Sequence, residues 1–166
     1  KERFGARVEW LPFDLHPEYP AEGLPRPPST GRMEQLFDEN GLVYNPPPVR
    51  PNSLKALRLT EHARAQDLHQ SMHDGLMDAY WRDGEDIGDS GVLLARAEAA
   101  GLTGAEAVLA GDAYTEDVRR STAEAHSLGI NGIPAFLIDR KLLVLGAQPR
   151  EVFEQAFAQL EEMAGR

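Results

Sequence analysis

Cysteine is absent from all 166 residues. Without a thiol the chain forms no disulfide, carries no thiolate nucleophile and offers no cysteine-ligated metal site, so a redox compartment cannot be read from it. Positive charge is scarce as well: 17 lysines and arginines face 27 aspartates and glutamates, a net charge of −10. Nucleic acid and anionic lipid would be repelled, and neither is expected as a partner. No apolar run approaches the roughly 18 residues of a membrane span, and the opening "KERFGARVEW" lacks the apolar stretch of a signal peptide. The chain begins at Lys1 rather than methionine, so the expectation is that residues ahead of it were removed, processed or left out.

What is present is 42% hydrophobic sequence with clear periodicity, enough for one or two compact units. "RVEWLPF" (Arg7 to Phe13) reads as a strand, followed by "HPEYPAEGLPRPP", a loop holding five of the twelve prolines. A short helix capped by Thr30 is expected over 30–37, and "NPPPVRPNS" reads as a second extended connector. Asn52 or Ser53 can then cap a helix over 54–65, with Leu54, Ala56, Leu57, Leu59, Thr60 and Ala63 on its apolar face. Leu68, Met72, Leu76, Ala79 and Tyr80 predict a second helix from about Gln66. Asp89 or Ser90 opens a third that stops at Gly101, Thr103 caps a fourth that ends at Gly111, and 114–128 form a fifth closed by Gly129.

After Gly132 the pattern changes. "AFLI" and "LLVL" around "DRK" predict a hairpin whose continuous apolarity implies cover on both faces. A helix follows, with Pro149 near its first turn and Val152, Phe153, Ala156, Phe157, Leu160 and Met163 on one stripe. Pro134 stands just ahead of the first hairpin strand, where its missing N–H would weaken a ladder. One reading is a tolerated first-position proline. The other is a cis Ile133–Pro134 bond that leaves the backbone of Ile133 open to an incoming extended peptide. The local sequence leaves both open.

Other candidates have structural explanations beside the functional ones. His69 and His73 share a helix face at the spacing of two metal ligands, near Asp74 and Asp78, but no third ligand is identifiable, and no metal is expected. "DGEDIGD" (Asp83 to Asp89) does not match the EF-hand spacing and reads as a solvated capping loop. Trp10, Phe13, Tyr80 and Trp81 suit a groove lining or a core. His16 suits a site or an exposed loop, and Asn52 a site or a helix cap.

The stretches "VEWLPFDLHPEYPAEG", "PNSLKALRLTEHA", "AYWRDGEDIGDSGVLLARAEAAGL" and "LGINGIPAFLIDRKLLVLGAQPREVFEQAF" together resemble the DsbA family of thiol-disulfide oxidoreductases, in particular its FrnE-like subgroup. The resemblance implies an α/β, thioredoxin-like fold with an inserted all-helical domain: a core from 1–29 and 129–166, and the insertion over 30–128. It also implies that Pro134 is the family's cis-proline beside the redox centre, and that Gly132, Ile133 and Pro134 contact a substrate polypeptide. Phe13, His16 and Asn52 are groove candidates. The family's Cys-x-x-Cys and the strand before it are missing, so both are expected upstream of Lys1. In the family's arrangement that strand lies between Arg7–Phe13 and the hairpin, and losing it would leave buried backbone groups unpaired.

On this reading the activity is thiol-disulfide exchange with protein or peptide thiols and disulfides, with no cofactor, in the cytoplasm, with room for a dimer. Two alternatives stay open. One is a glutathione-dependent isomerase of the 2-hydroxychromene-2-carboxylate type, with serine replacing the first cysteine. The other is a non-catalytic peptide-binding or chaperone module.

Overall fold

The computed structural model describes residues 4–164, in two compact units. One joins the residues up to Leu11 with Ala123 onward, and the other spans Pro12–Thr122.

The larger unit is helical. Its helices are α1 (Arg32–Glu39), α2 (Leu54–Arg64), α3 (His69–Trp81), α4 (Ser90–Ala99) and α5 (Ala105–Ala110), and α6 (Thr115–Ser127) crosses the boundary between the units. The apolar faces of α2 to α5 meet in one core, in which Leu59, Ala63, Met72, Ala79 and Leu93 are wholly buried. Termini are closed locally. Asp89 accepts from the N–H groups of Gly91 and Val92 at the start of α4, as its capping position predicts. At the other end Gly101 donates to Glu98 O and Leu102 to Ala97 O, the paired bonds that a left-handed glycine allows.

Two expected caps are corrected. The residues at the starts of α1 and α5 are Gly31 and Gly104, both left-handed, with no side-chain cap. Thr103 instead bonds Gln66 through its N–H and hydroxyl. Thr30 is displaced because Ser29 Oγ accepts from Gly31 N at 3.0 Å, which starts the helix one residue later. The second helix also starts later, at His69, because Asp67 adopts a left-handed φ and breaks the run.

Arg58 was read as part of a helix, not as a core residue. It is buried, and its guanidinium donates to three carbonyls: Nε to Ala113 O at 2.8 Å, and Nη2 to Gly111 O at 2.6 Å and to Val108 O. One planar fork thus satisfies the orphan acceptors at the end of α5.

The expected strand over Arg7–Phe13 does not form. Among the described residues it belongs to no ladder, because no neighbouring strand is there to exchange hydrogen bonds with it. Its end is tied to α6 instead: Pro12 O accepts from Ser121 Oγ at 2.7 Å, and Asp14 N donates to Thr122 Oγ1 at 3.0 Å. The proline-rich stretches, read as a loop and an extended connector, pair as a small antiparallel sheet of β1 (Leu24–Pro25) and β2 (Val49–Arg50). Gly23 permits this approach, since a Cβ there would lie 2.5 Å from Arg50 O. Residues 12–29, expected with the core, therefore pack with the helical unit. The boundary at the other end falls inside α6, at Thr122/Ala123, rather than at 128/129.

The smaller unit contains the predicted hairpin, β3 (Ala135–Ile138) and β4 (Leu142–Leu145), and α7 (Arg150–Ala164). Asp139 and Arg140 both take positive φ, as a type I′ connection requires, and Lys141 N bonds Ile138 O at 3.0 Å. Phe136 meets Phe153 edge-on at 5.0 Å, and Val144 and Ala156 are buried, so α7 covers one face. The other face is a correction: Leu137, Leu143 and Leu145 are exposed, because among the described residues no second element packs on it. Residues 1–3 lie outside the described residues; Phe4 stacks on Phe157 at 4.4 Å.

Replacing Arg58 by alanine should remove three charge-assisted bonds and cost about 2–4 kcal/mol in urea unfolding, with lysine recovering less than half of it. A loss below about 1 kcal/mol would contradict the bracing role.

Candidate functional site

The end of α6 places the loop that carries Pro134. Gly129, left-handed at φ 80, donates to His126 O, and Ile130 N donates to Ala125 O at 3.0 Å, so the last turn is closed and the chain leaves at a set angle. Ile130 is buried there. His126 Nδ1 lies 3.1 Å from both Ile130 O and Asn131 Oδ1. Both partners accept, so Nδ1 carries a proton and braces the loop, while Asn131 Nδ2 donates to Gly129 O.

Beyond this brace the chain is open. Apart from its chain neighbours, Gly132 has no heavy atom within 4 Å of the place a Cβ would occupy, and Ile133 is 59% exposed. The Ile133–Pro134 peptide is cis. Pro134 has no N–H, and its carbonyl accepts from Gly146 N at 2.8 Å, closing the mouth of the hairpin. None of the hydrogen bonds found among the described residues uses the backbone N–H or C=O of Ile133. Those two groups therefore remain open to water or to an incoming chain. Together with Asn131, Gly132, Leu145 and Gly146 they edge an open depression of about 330 Å³.

Phe13, His16 and Asn52 belong to the other unit. Two of them meet at one residue. His16 stacks on the Tyr19 ring at 4.3 Å, and Asn52 Nδ2 donates to Tyr19 O at 2.7 Å while its Oδ1 accepts from Leu54 N. The Arg50 guanidinium lies over the same ring, 5.3 Å from its centre, and Arg50 Nε is buried without a partner among the described residues. His16 also faces Glu18 at 3.0 Å; a backbone N–H and that imidazole hold the Glu18 carboxyl below its usual range. Phe13 sits between the two bonds that tie its neighbours to α6. Tyr19 and Arg50 were not singled out from sequence, because loop residues in a proline-rich stretch give no periodic signal.

The His69 and His73 rings stack at 6.1 Å, and among the described residues no group of three His, Cys, Asp or Glu side chains is placed to hold an ion. In the acidic loop Asp86 accepts from Gly88 N, Asp89 caps α4, and Asp83 and Glu85 both pair with Arg96 at 2.6 Å. Trp81 packs with Phe37 and Tyr44 at 5.0 and 5.9 Å, and Tyr80 meets it edge-on.

With this geometry in view, the class is a DsbA-like thioredoxin domain: the model of that family matches residues 1–158, and the chain belongs to it. The chain is 27% identical over 162 residues to the uncharacterized protein YwbO of Bacillus subtilis, with 91% of this chain and 80% of that protein covered. It is 29% identical to a probable DsbA oxidoreductase, SCO1869 of Streptomyces coelicolor, whose crystal structure superposes with a TM-score of 0.82 over 95% of this chain and 76% of that one. The fold is thus the thioredoxin-like α/β fold of DsbA proteins with extra helices. No helix among the described residues is long and apolar enough to cross a membrane.

Burial holds the His73 imidazole below its ordinary value of 6.5, against the opposing pull of Asp74. The unfolded chain then binds the proton more readily, so stability is at its level value above about pH 6.5 and falls as the pH drops below it. Urea midpoints measured from pH 7.5 to 5 should decline less in His73→Gln than in the parent; parallel curves would show that His73 does not contribute.

Proposed function

We propose that this domain takes part in thiol-disulfide exchange on polypeptide substrates, with the substrate chain seated in extended form at Gly132, Ile133 and Pro134. The observation that carries the reading is the open backbone of Ile133 beside a residue that has no N–H to give. An extended peptide laid there gains main-chain hydrogen bonds, and the exposed Ile133 side chain offers apolar contact. Membership of a DsbA-like family supports the chemistry that accompanies such a seat.

In that chemistry a thiolate attacks one sulfur of the substrate disulfide, a mixed disulfide forms, and the second substrate sulfur leaves as a thiolate. A second thiolate of the enzyme then attacks the first enzyme sulfur and displaces the substrate sulfur as a thiolate, so the reduced substrate leaves and an enzyme disulfide remains. These 166 residues hold no cysteine, so both thiols come from outside Lys1–Arg166. The Ile133 loop binds and orients the substrate and supplies no electrons. The missing cysteine also favours one other reading, a peptide holder that catalyses nothing. The two part on a single assay: the protein in its full encoded form either accelerates insulin reduction by dithiothreitol or binds peptides without doing so.

Peptide binding itself tests the seat. Fluorescence anisotropy with an extended ten-residue probe should give two- to tenfold weaker binding when one amide is N-methylated, and little change at the next, because alternate amides point away from the partner strand. Ile133→Asp should weaken the same probe at least fivefold. Uniform loss along the probe, or an unchanged Ile133→Asp, would remove the loop from the account.

A further inference from the structure

Asparagine precedes glycine twice in this chain, at Asn40–Gly41 and at Asn131–Gly132. The pairing is chemically labile: a glycine nitrogen has no Cβ beside it to shield it, and it can reach the asparagine amide carbon to close a five-membered imide ring. The fold treats the two steps differently. At Asn40 the ring is barred. Gly41 N donates to Asp38 O at 2.9 Å, so its N–H is already engaged in closing α1. A ψ of 7° at Asn40 also turns that nitrogen toward the Asn40 nitrogen, a third of a turn away from Cβ. At Asn131 no such bar is found. None of the hydrogen bonds among the described residues uses the N–H of Gly132, and apart from its chain neighbours nothing lies within 4 Å of where its Cβ would be. Asn131 itself is exposed and belongs to neither helix nor strand.

The Asn131 side chain is also polarised for attack. His126 Nδ1, 3.1 Å from Asn131 Oδ1, donates to that oxygen and draws electron density from Cγ, while Nδ2, the group that must leave, is held by Gly129 O at 3.2 Å. We propose that Asn131–Gly132 is a site of spontaneous deamidation, and that its reaction closes the peptide seat. The Gly132 nitrogen, giving its proton to hydroxide, attacks Asn131 Cγ; the new C–N bond forms, the Cγ–Nδ2 bond breaks, and Nδ2 leaves as ammonia from a succinimide. Water opens that ring at Cγ to give aspartate, or at the Asn131 main-chain carbonyl to give isoaspartate, whose backbone runs through the side chain and is one carbon longer. Nothing is oxidised or reduced. An extra backbone carbon just ahead of Ile133 moves the loop from the position that His126 and Gly129 set. That consequence rests on the role proposed for Ile133; the reaction itself does not.

The test holds the whole chain at pH 8 and follows each asparagine by peptide mapping in the mass spectrometer, with isoaspartate detected by isoaspartyl methyltransferase. In the folded protein Asn131 should gain its one mass unit at least tenfold faster than Asn40. In urea, where neither glycine N–H is engaged, the two rates should come within threefold of each other, because the difference belongs to the fold and not to the dipeptide. Gly132→Ala, for which there is room, should slow Asn131 at least fivefold by shielding the nitrogen. A folded-state ratio no larger than the ratio in urea, or an unchanged rate in Gly132→Ala, overturns the proposal whatever the loop binds. The fraction converted at Asn131, separated by anion exchange, should bind the extended ten-residue probe at least threefold more weakly than unconverted protein. Equal affinity in that fraction would overturn the closing of the seat and count against the Ile133 reading, while the deamidation stood on its own masses.

Discussion

A proline cannot donate a backbone hydrogen bond, and that constraint sets where the hairpin sheet stops. The ladder runs from Ala135 to Ile138, and Pro134 contributes only its carbonyl, to Gly146. Ile133, one residue earlier, is therefore outside the sheet while still held at its rim. From behind, the closed end of α6 and the His126 brace keep the loop from collapsing onto the hairpin. An exposed, unpaired stretch of backbone between two well-bonded elements is what a peptide-binding edge requires, and that is the basis of the proposal for Ile133.

The helical unit is built on a different principle. Its core is apolar and contiguous, and the buried polar side chains found among the described residues are satisfied individually, Arg58 by three carbonyls and Thr60 by Leu57 O. The chemistry-bearing side chains lie on its outside, in the Tyr19 loop with His16, Asn52 and Arg50.

The helices with strong apolar periodicity, α2 to α4, α6 and α7, were legible in the sequence, as were the hairpin and the glycine stops at Gly101 and Gly129. Those signals are local, since side-chain spacing and left-handed glycines act within a few residues. Signals that depend on a distant partner failed. "RVEWLPF" has strand composition, but a strand exists only with a neighbour, and its bonds go to Ser121 and Thr122 instead. Pro25 concealed β1 because proline argues against a ladder, although an edge pair of two residues tolerates it. The exposed leucines of the hairpin were misread for the same reason: continuous apolarity indicates a covered sheet only when the cover is present. The role proposed for Gly132, Ile133 and Pro134 came from the position of a proline ahead of the strand and from resemblance to a family rather than from periodicity, and Tyr19 and Arg50 gave no signal at all.

The claim on which the functional account rests is that the Ile133 backbone receives the substrate chain. Amide hydrogen exchange followed by NMR, with and without a saturating extended peptide, measures it directly. The account predicts that the Ile133 amide exchanges freely in the unbound protein and slows at least tenfold on binding, with the amides of the α2–α4 core unchanged. An Ile133 amide already protected in the unbound protein, or one whose exchange is indifferent to bound peptide, would contradict it.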